Sequence, residues 1–266
     1  MPTAHELLAF YLEAGVDCAL SETPVNRLSE EAAPEERAPS RPQQFRTANP
    51  APIPPLAEPA PAPDAAITSA REIAPKAASL EELRDLLERF DGCALKSTAT
   101  RLVFADGNPQ AKIMFIGEAR GRDADLEGQP FVARSGKLLD LMMGAIALDR
   151  TNAYIANIIP WRPPGNRDPS PQETQICLPF IRRQIELVNP DVVVCLGKPS
   201  SQAILNVTDG IMKTRGRWFD YDTGARKIRA MATFHPAYLL RQPIYKRLTW
   251  QDLRAIRKAL NVGTAS

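Results

Sequence analysis

At 266 residues, the chain is long enough for one domain of ordinary size with additional segments. Its hydrophobic content of 44% is typical of a globular protein, and no apolar run of about 18 residues predicts a membrane span. No secretory leader is recognisable, so we expect a soluble cytoplasmic protein. Residues 1–80 carry 6 basic and 11 acidic side chains, whereas residues 81–266 carry 27 and 20, which favours a polyanionic ligand for the second part.

The first part of the chain divides into two segments of different composition. Residues 1–21 include "HELLAFYLEAGVDCAL", whose apolar residues recur at helical spacing and predict a short N-terminal helix. Residues 22–78 contain twelve of the chain's 25 prolines, many beside alanine, which predicts a disordered linker rather than a packed core. Both segments are candidates for contact with a protein partner, a solvent-exposed helix being the alternative for the first. Residues 79–266 form the predicted folded domain.

From Ser79 onward, strand and helix patterns alternate. The segment "SLEELRDLLERF" begins with a serine cap, has acids in its first turn and repeats leucine at helical spacing. Apolar runs without strict alternation predict strands that are covered on both faces, at residues 111–117, 153–160, 190–197 and 228–234. Helical patterns separate these runs, which predicts a three-layer α/β/α fold with a mainly parallel, four-stranded central sheet. Such sheets bind ligands beyond the carboxyl ends of their strands.

Polar and conformationally special residues follow each predicted strand. The first strand runs into "GEARGRDAD", the second into "NIIPWRPPGNRDP", the third into "GKPS" and the last into "HPAYLLRQP". The last segment begins with His235, one of two histidines in the chain. A histidine before a proline is compatible with a simple turn, so its interpretation depends on the other segments.

Three segments, in this order, resemble one protein family: "IGEARGRDADLEGQPFVARSGKLLD", "ANIIPWRPPGNRDPSPQE" and "FHPAYLLRQP". They resemble the uracil-DNA glycosylase superfamily, and most closely its type-4 enzymes, over residues 85–260. The resemblance implies a monofunctional hydrolase of base excision repair that flips deoxyuridine out of DNA. Hydrolysis of the N-glycosidic bond then releases uracil and leaves an abasic site. We expect a monomer that binds uracil-containing DNA and associates with the nucleoid while it acts.

Three alternatives stay open at this level. One is a catalytically weakened or inactive relative that binds uracil-containing or single-stranded DNA. Another is a relative that removes a different deaminated base. The third is a doubly wound nucleotide-binding enzyme of another class, which is disfavoured because no Gly-rich phosphate loop follows the first strand.

A pocket for an extruded pyrimidine requires an aromatic face and a group that identifies the base. Phe131, in "QPFV", matches the family position for the ring, with core packing as the alternative. The amide of Asn157, in "ANII", offers both a donor and an acceptor to the pairing edge of uracil. Gly117 and Ala119 complete the predicted uracil site, since a glycine lets the backbone approach the nucleotide.

Cleavage of the glycosidic bond builds positive charge on the sugar and negative charge on the departing uracil. By the resemblance, His235 donates a hydrogen bond from a neutral imidazole to the developing oxyanion. Glu118 and Asp125 are the candidates for a carboxylate that orients water and offsets the cation.

Two loops carry the predicted DNA contacts. The proline-stiffened "WRPPGNRDPSP" presents Arg162 and Arg167 to phosphates, or serves as a structural loop over the sheet. In the superfamily, the loop after the catalytic histidine inserts a side chain into the space that the flipped base leaves. Leu239, Leu240 and Arg241 occupy that loop here.

Type-4 enzymes usually hold a [4Fe–4S] cluster through four cysteines. Cys93 and Cys177 match two of these positions, whereas Phe90 and Trp161 stand at the other two. Two thiolates are too few for a four-iron cluster, so we expect no cluster, no other metal and no cofactor, with aromatic packing in place of the metal.

Three residues of the first motif depart from the family pattern. Arg120 stands where proline is usual, Ala124 where an acid is usual and Ala133 where glycine is usual. Loss of the carboxylate at 124 predicts weaker catalysis unless Asp125 or Asp123 compensates. The methyl group at 133 narrows the pocket rim or requires a less open backbone angle.

Overall fold

The structure is a computed structural model and describes residues 63–119 and 121–262. The predicted helix at 1–21, residues 22–62 of the predicted linker, and Arg120 lie outside the described residues. Within the described part, no helix is both long enough and apolar enough to cross a membrane.

A single six-stranded sheet organises the described residues, in the order β1-β3-β2-β4-β6-β5. The strands are β1 (Ala105–Gly107), β2 (Ile113–Gly117), β3 (Tyr154–Asn157), β4 (Val192–Leu196), β5 (Trp218–Asp222) and β6 (Lys227–Thr233). The four central strands run parallel, and they are the four predicted from the apolar runs. The α/β class is thus confirmed, while the strand number is corrected, because antiparallel β1 and β5 extend the two edges.

The two edge strands lack the apolar runs that reveal buried strands. Strand β1 has only three residues, all half-buried. Strand β5, "WFDYD", exposes both of its aspartates, as an edge strand with one solvated face does. By contrast, every residue of β2 and β4 is buried. Continuous apolar runs in the sequence therefore mark the centre of the sheet but not its edges.

Helices cover both faces of the sheet. They are α1 (Pro63–Ile73), α2 (Leu80–Arg89), α3 (Leu95–Thr98), α4 (Arg122–Glu127), α5 (Arg134–Gly144), α6 (Pro171–Val188), α7 (Lys198–Leu205), α8 (Ile211–Thr214), α9 (Pro236–Arg241) and α10 (Lys246–Val262). Alternate residues of β2 point into two cores. Met114 and Ile116 belong to a core with α2 and α6, whereas Ile113 and Phe115 belong to one with α5 and α10. This arrangement confirms the three predicted layers.

The folded part begins earlier than the predicted boundary at residue 79. Helix α1 contacts α6 and buries Ala66 and Ala70, and Ala74 is buried in the turn directly after the helix, again four residues on. Small side chains at this spacing let two helices approach closely. Arg183 of α6 also donates two hydrogen bonds to the Ala77 carbonyl, at 3.0 and 2.7 Å. The prediction that the linker extends to residue 78 is therefore wrong over residues 63–78, because the alanines of this segment are small enough to pack into the core.

Candidate active site

A cavity of about 610 Å³ opens at the carboxyl edge of the parallel strands. Each strand contributes a lining residue at or just after its end: Glu118 after β2, Asn157 at the end of β3, Gly197 after β4 and His235 after β6. The cavity therefore lies at the edge where the alternation of strands and helices predicts a ligand site.

Gly117 is the point at which the predicted ring and the predicted amide meet. It pairs with Asn157 in the register of β2 and β3. A Cβ atom built at Gly117 would lie 2.7 Å from Cζ of Phe131 and still closer to Oδ1 of Asn157. The glycine is thus required for close approach, and the aromatic ring and the amide contact the same patch of backbone.

The amide of Asn157 is buried with an unpaired acceptor. The residue is 4% exposed, and its Oδ1 accepts no hydrogen bond from any described residue. A buried polar atom without a partner costs about 1–3 kcal/mol. Because Asn157 lines the cavity, a ligand with an N–H group at this position would satisfy the oxygen and remove that cost.

Phe131 is held in an unusual backbone conformation beside the cavity. Its φ angle is 56°, in the left-handed region that an aromatic residue adopts at a cost of about 1–3 kcal/mol. The ring lies 5.5 Å from the imidazole of His235, with 30° between the planes. Both rings line the cavity, so one flat ligand can contact the phenyl face, the imidazole and the amide together.

His235 is the N-cap of α9, which determines its tautomer. Its Nδ1 accepts a hydrogen bond from the backbone N–H of Ala237 at 3.1 Å, so the proton of the neutral ring lies on Nε2. Burial, and secondarily the charge of Arg241, lowers the pKa of His235 to about 4. At pH 7 the ring is therefore a neutral hydrogen-bond donor.

Two carboxylates line the cavity, and only one of them was predicted. Burial, and then the negative charge of Asp168, raises the pKa of Glu118 above its ordinary value of 4.5. Asp168 lies in the proline-rich loop after β3 and reaches the exposed rim of the cavity. Sequence analysis missed Asp168, although an acidic residue just after a predicted strand end was a usable signal.

Asp125, the other predicted carboxylate, does not line the cavity. It is 2% exposed and accepts hydrogen bonds from the Thr100 N–H at 2.9 Å, the Thr100 hydroxyl at 2.8 Å and the Arg101 N–H at 3.3 Å. The geometry therefore disagrees with a water-orienting role and fits a structural link between α4 and the loop after α3. Successive helical residues point about 100° apart, so the side chain that faces the cavity is that of Ala124.

The remaining departure among the described residues, Ala133, has a simple structural consequence. It lines the cavity, as does Ala119 of the predicted uracil site. Ala133 is the N-cap of α5 with φ −77° and ψ −167°, an extended conformation open to any residue. A glycine is not needed there for its backbone freedom, and Asp123 is exposed away from the cavity.

The proline-rich loop has one internal contact and one attachment to the helix that follows it. Arg162 donates to Oδ1 of Asn166 at 2.7 Å, and Arg167 pairs with Glu173 at 2.6 and 2.9 Å. Glu173 also closes a capping box with Ser170 at the start of α6. Of the two predicted arginines, Arg167 lines the cavity and Arg162 does not.

Helix α9 separates the three residues of the predicted wedge. Leu239 is 1% exposed and belongs to the core, so its assignment to the DNA surface disagrees with the structure. Leu240 is 38% exposed, and Arg241 is exposed and lines the cavity. Ile244, which sequence analysis did not select, is 79% exposed three residues further on.

The four positions that correspond to cluster ligands are all buried in one core: Phe90, Cys93, Trp161 and Cys177. A hydrogen bond with Cys177 lowers the pKa of Cys93. The Phe90 ring packs against Phe180 at 5.1 Å and 60°. Among the described residues, no group of three or more histidine, cysteine or acidic side chains is arranged to hold a metal ion. These residues do not fit a cluster with four cysteine ligands.

The fold and the site together define an α/β protein with a cavity at the strand ends that is lined by an aromatic ring, an amide and an imidazole. A family model described as the uracil DNA glycosylase superfamily matches residues 104–254. A type-4 uracil-DNA glycosylase of Archaeoglobus fulgidus is 38% identical over 184 residues, which cover 66% of this chain and 92% of the relative. The enzymes of Saccharolobus solfataricus and Thermotoga maritima are 35% and 38% identical, over 69% and 61% of this chain and 87% and 83% of their own lengths. The chain belongs to the uracil-DNA glycosylase superfamily, with type-4 enzymes as its relatives.

Proposed function

We propose that the chain hydrolyses the N-glycosidic bond of deoxyuridine in DNA, releasing uracil and leaving an abasic site. The observation that carries the proposal is the convergence of Phe131, Asn157 and a neutral His235 on one cavity. The three relatives reported above are named type-4 uracil-DNA glycosylases, which supports the same activity.

The unpaired Oδ1 of Asn157 supports recognition of uracil in particular. An extruded uracil presents an N3–H donor beside its O4 acceptor, and an amide can satisfy both at once. Cytosine presents an N3 acceptor beside an amino donor, which would leave the buried Oδ1 facing another acceptor. A site built for the hydrogen bonds of one base rejects the other because the mismatched groups stay unpaired.

His235 supports departure of the base as an anion. With Nδ1 occupied by the Ala237 N–H, the Nε2–H group is available to the oxygen that becomes negative as the bond breaks. A donor of this kind in a water-poor site contributes about 10²–10³-fold in rate. Because the pKa of the imidazole is about 4, the ring donates this hydrogen bond without becoming a cation beforehand.

Glu118 is the carboxylate that we assign to the water and the sugar cation. It follows β2 directly and lines the cavity. An ionised carboxylate there offsets positive charge on the sugar and accepts a proton from attacking water. Asp168 adds a second negative charge at the rim, and the alanine at 124 supplies none.

Basic and apolar side chains around the rim support binding of DNA. Arg241, Arg167 and Lys198 line the cavity and are exposed, so they can contact phosphates on either side of the flipped nucleotide. Leu240 is the exposed apolar residue of α9 that can enter the vacated space in the base stack. We propose a monomer that acts where DNA lies, in the cytoplasm and its nucleoid.

We also propose that the enzyme works without an iron–sulfur cluster. The burial of Phe90 and Trp161 supports this, because aromatic side chains fill two ligand positions in the core. Iron analysis and absorption spectra of anaerobically purified protein test it. We expect iron far below four atoms per chain and no broad visible band, whereas a brown protein with a full complement of iron would refute the proposal.

An oligonucleotide with a single U opposite G tests the activity. Alkali after incubation breaks the strand only where a base has been removed, and a matched oligonucleotide with T is the control. We expect cleavage by the wild type and losses of about 10²–10³-fold in His235→Ala. Binding of the U-containing strand without base release would instead identify a non-catalytic relative. If the protein neither binds this strand nor releases its base, the proposal is refuted.

A further inference from the structure

Arg150, in the loop between α5 and β3, makes an unusually complete set of contacts outside the cavity. Its Nη2 donates to the Phe131 carbonyl at 2.7 Å, and its Nη1 donates to the Pro130 carbonyl at 3.2 Å. Nε and Nη2 reach the two oxygens of Asp140 at 2.9 and 3.4 Å, and Nη1 also pairs with Asp106. A guanidinium has five N–H groups in a rigid plane, so these five contacts use its full donor capacity.

The contacts join three parts of the domain at one planar group. Asp106 lies on edge strand β1, and Asp140 lies on α5, whereas residues 130 and 131 form the turn that carries the aromatic ring. The arginine, which is 28% exposed, is itself held by two carboxylates on regular elements. The turn is therefore attached to fixed structure through side chain-to-carbonyl hydrogen bonds.

The turn needs such an attachment because Phe131 has a left-handed backbone, which a phenylalanine does not retain without support. Gly136 provides part of the space, since a Cβ atom there would overlap the Phe131 carbonyl oxygen. The same carbonyl oxygen is the acceptor of Arg150 Nη2. The guanidinium thus stabilises the backbone angle that directs the Phe131 ring to the cavity.

We infer that Arg150 is a positioning residue, which holds the stacking ring of Phe131 against the extruded base by binding the carbonyls of residues 130 and 131. This role rests on the proposed function. It predicts that loss of the guanidinium weakens contact with uracil but leaves DNA binding by the basic rim of the cavity unaffected, because Arg150 does not line the cavity. A misplacement of about 1 Å at a reacting group lowers rates by up to roughly 100-fold.

The test compares Arg150→Met, Arg150→Lys, Phe131→Ala and the double variant Arg150→Met/Phe131→Ala. We expect Arg150→Met to weaken inhibition by free uracil about tenfold and to slow single-turnover excision by roughly 10- to 100-fold. Affinity for uracil-free duplex should stay within about twofold. In the Phe131→Ala background, Arg150→Met should change excision by less than about twofold, because the group through which it acts is gone.

Arg183→Met is the matched control. Arg183 also donates two hydrogen bonds to a carbonyl, that of Ala77, and pairs with Glu186, but it lies outside the cavity and its turn. The Arg183→Met variant should have a lower melting temperature but unchanged inhibition by free uracil. Arg150→Lys keeps the charge for Asp106 and Asp140 but cannot span two carbonyls, so it should recover stability and leave uracil inhibition weak.

The outcomes separate this inference from the proposed function. Wild type that releases no uracil refutes the function, whereas variant behaviour decides the role of Arg150. The inference is overturned if Arg150→Met keeps wild-type inhibition by uracil. It is also overturned if the loss of excision rate in the double variant is the product of the losses in Arg150→Met and Phe131→Ala. A fluorine label on Phe131 gives a readout without catalysis: its NMR resonance should shift or broaden in the Arg150 variants, and an unchanged resonance also overturns the inference.

Discussion

Gly117 offers the sharpest test of the site, because one methyl group added there disturbs both the ring and the amide. In Gly117→Ala, the new Cβ atom lies 2.7 Å from Cζ of Phe131 and closer still to Oδ1 of Asn157. Ordinary contacts between heavy atoms lie near 3.5–4.0 Å, so both side chains must retreat by roughly 1 Å. Neither group can retreat freely, since Asn157 is 4% and Phe131 7% exposed.

The size of the expected effect follows from that displacement. Misplacement by about 1 Å lowers the rate by roughly 100-fold, which corresponds to about 2.7 kcal/mol of transition-state stabilisation. Overpacking of a filled site also lowers the free energy of unfolding by about 1–3 kcal/mol. In a domain of this size, each kcal/mol lowers the melting temperature by about 2–4 °C.

Single-turnover excision of uracil and thermal melting measure the two effects separately. Gly144→Ala is the matched control: Gly144 is exposed in α5, and a Cβ atom there meets nothing within 4 Å. That variant should keep the wild-type rate and gain up to about 1 kcal/mol of helix stability. If Gly117→Ala excises uracil as fast as the wild type, the ring and the amide do not act on one base, and the reasoning fails.

Four further predictions concern the pH dependence of excision and of stability, a structural carboxylate, and salt. The rate of excision should fall in two steps as the pH is lowered. The first step is protonation of Glu118, whose pKa is raised above 4.5, and the second is protonation of His235 near pH 4. Glu118→Gln should remove the first step from the profile of rate against pH. Because His235 has a pKa of about 4 when folded and near 6.5 when unfolded, its contribution to stability is present above pH 6.5 and is lost as pH falls toward 4. A melting temperature that rises as the pH is lowered from 6.5 to 4 would contradict this prediction. Asp125→Ala should cost about 1–3 kcal/mol of stability but leave the excision rate of folded molecules within a few-fold, and selective loss of the rate would return Asp125 to the catalytic group. Arg241→Gln should reduce the slope of log affinity against log salt by about 1, whereas Arg226→Gln, beside the amino end of β4, should not change it.

The sequence determined the centre of the sheet and the place of the site. Four apolar runs of strand length, separated by helical patterns, imply parallel strands whose carboxyl ends meet at one edge. Asn157 ends one of these strands and His235 follows another, so their convergence could be expected from chain order alone. Phe131 was found through its motif, because a single aromatic residue in a loop carries no periodicity.

Tertiary structure decided which neighbouring residues face the cavity and which support it. Ala124 lines the cavity and Asp125 does not, and Leu239 is buried while Leu240 is exposed. Such choices depend on the rotation of short helices, and one residue in a helix turns the side chain by about 100°. Composition also gave the wrong prediction for α1, which was expected to be part of a disordered linker. Its alanines form a close helix contact only because α6 lies beside them.

Arg150 shows the same limit most clearly. Nothing near it in the sequence identifies it, because its partners at 106, 130, 131 and 140 come from two separate elements and a turn. Local chain order specifies which side chains are available at a strand end, since strand direction and helix period are local properties. Contacts between distant segments depend on packing of the whole domain, so only the folded chain reveals how the Phe131 ring is held in place.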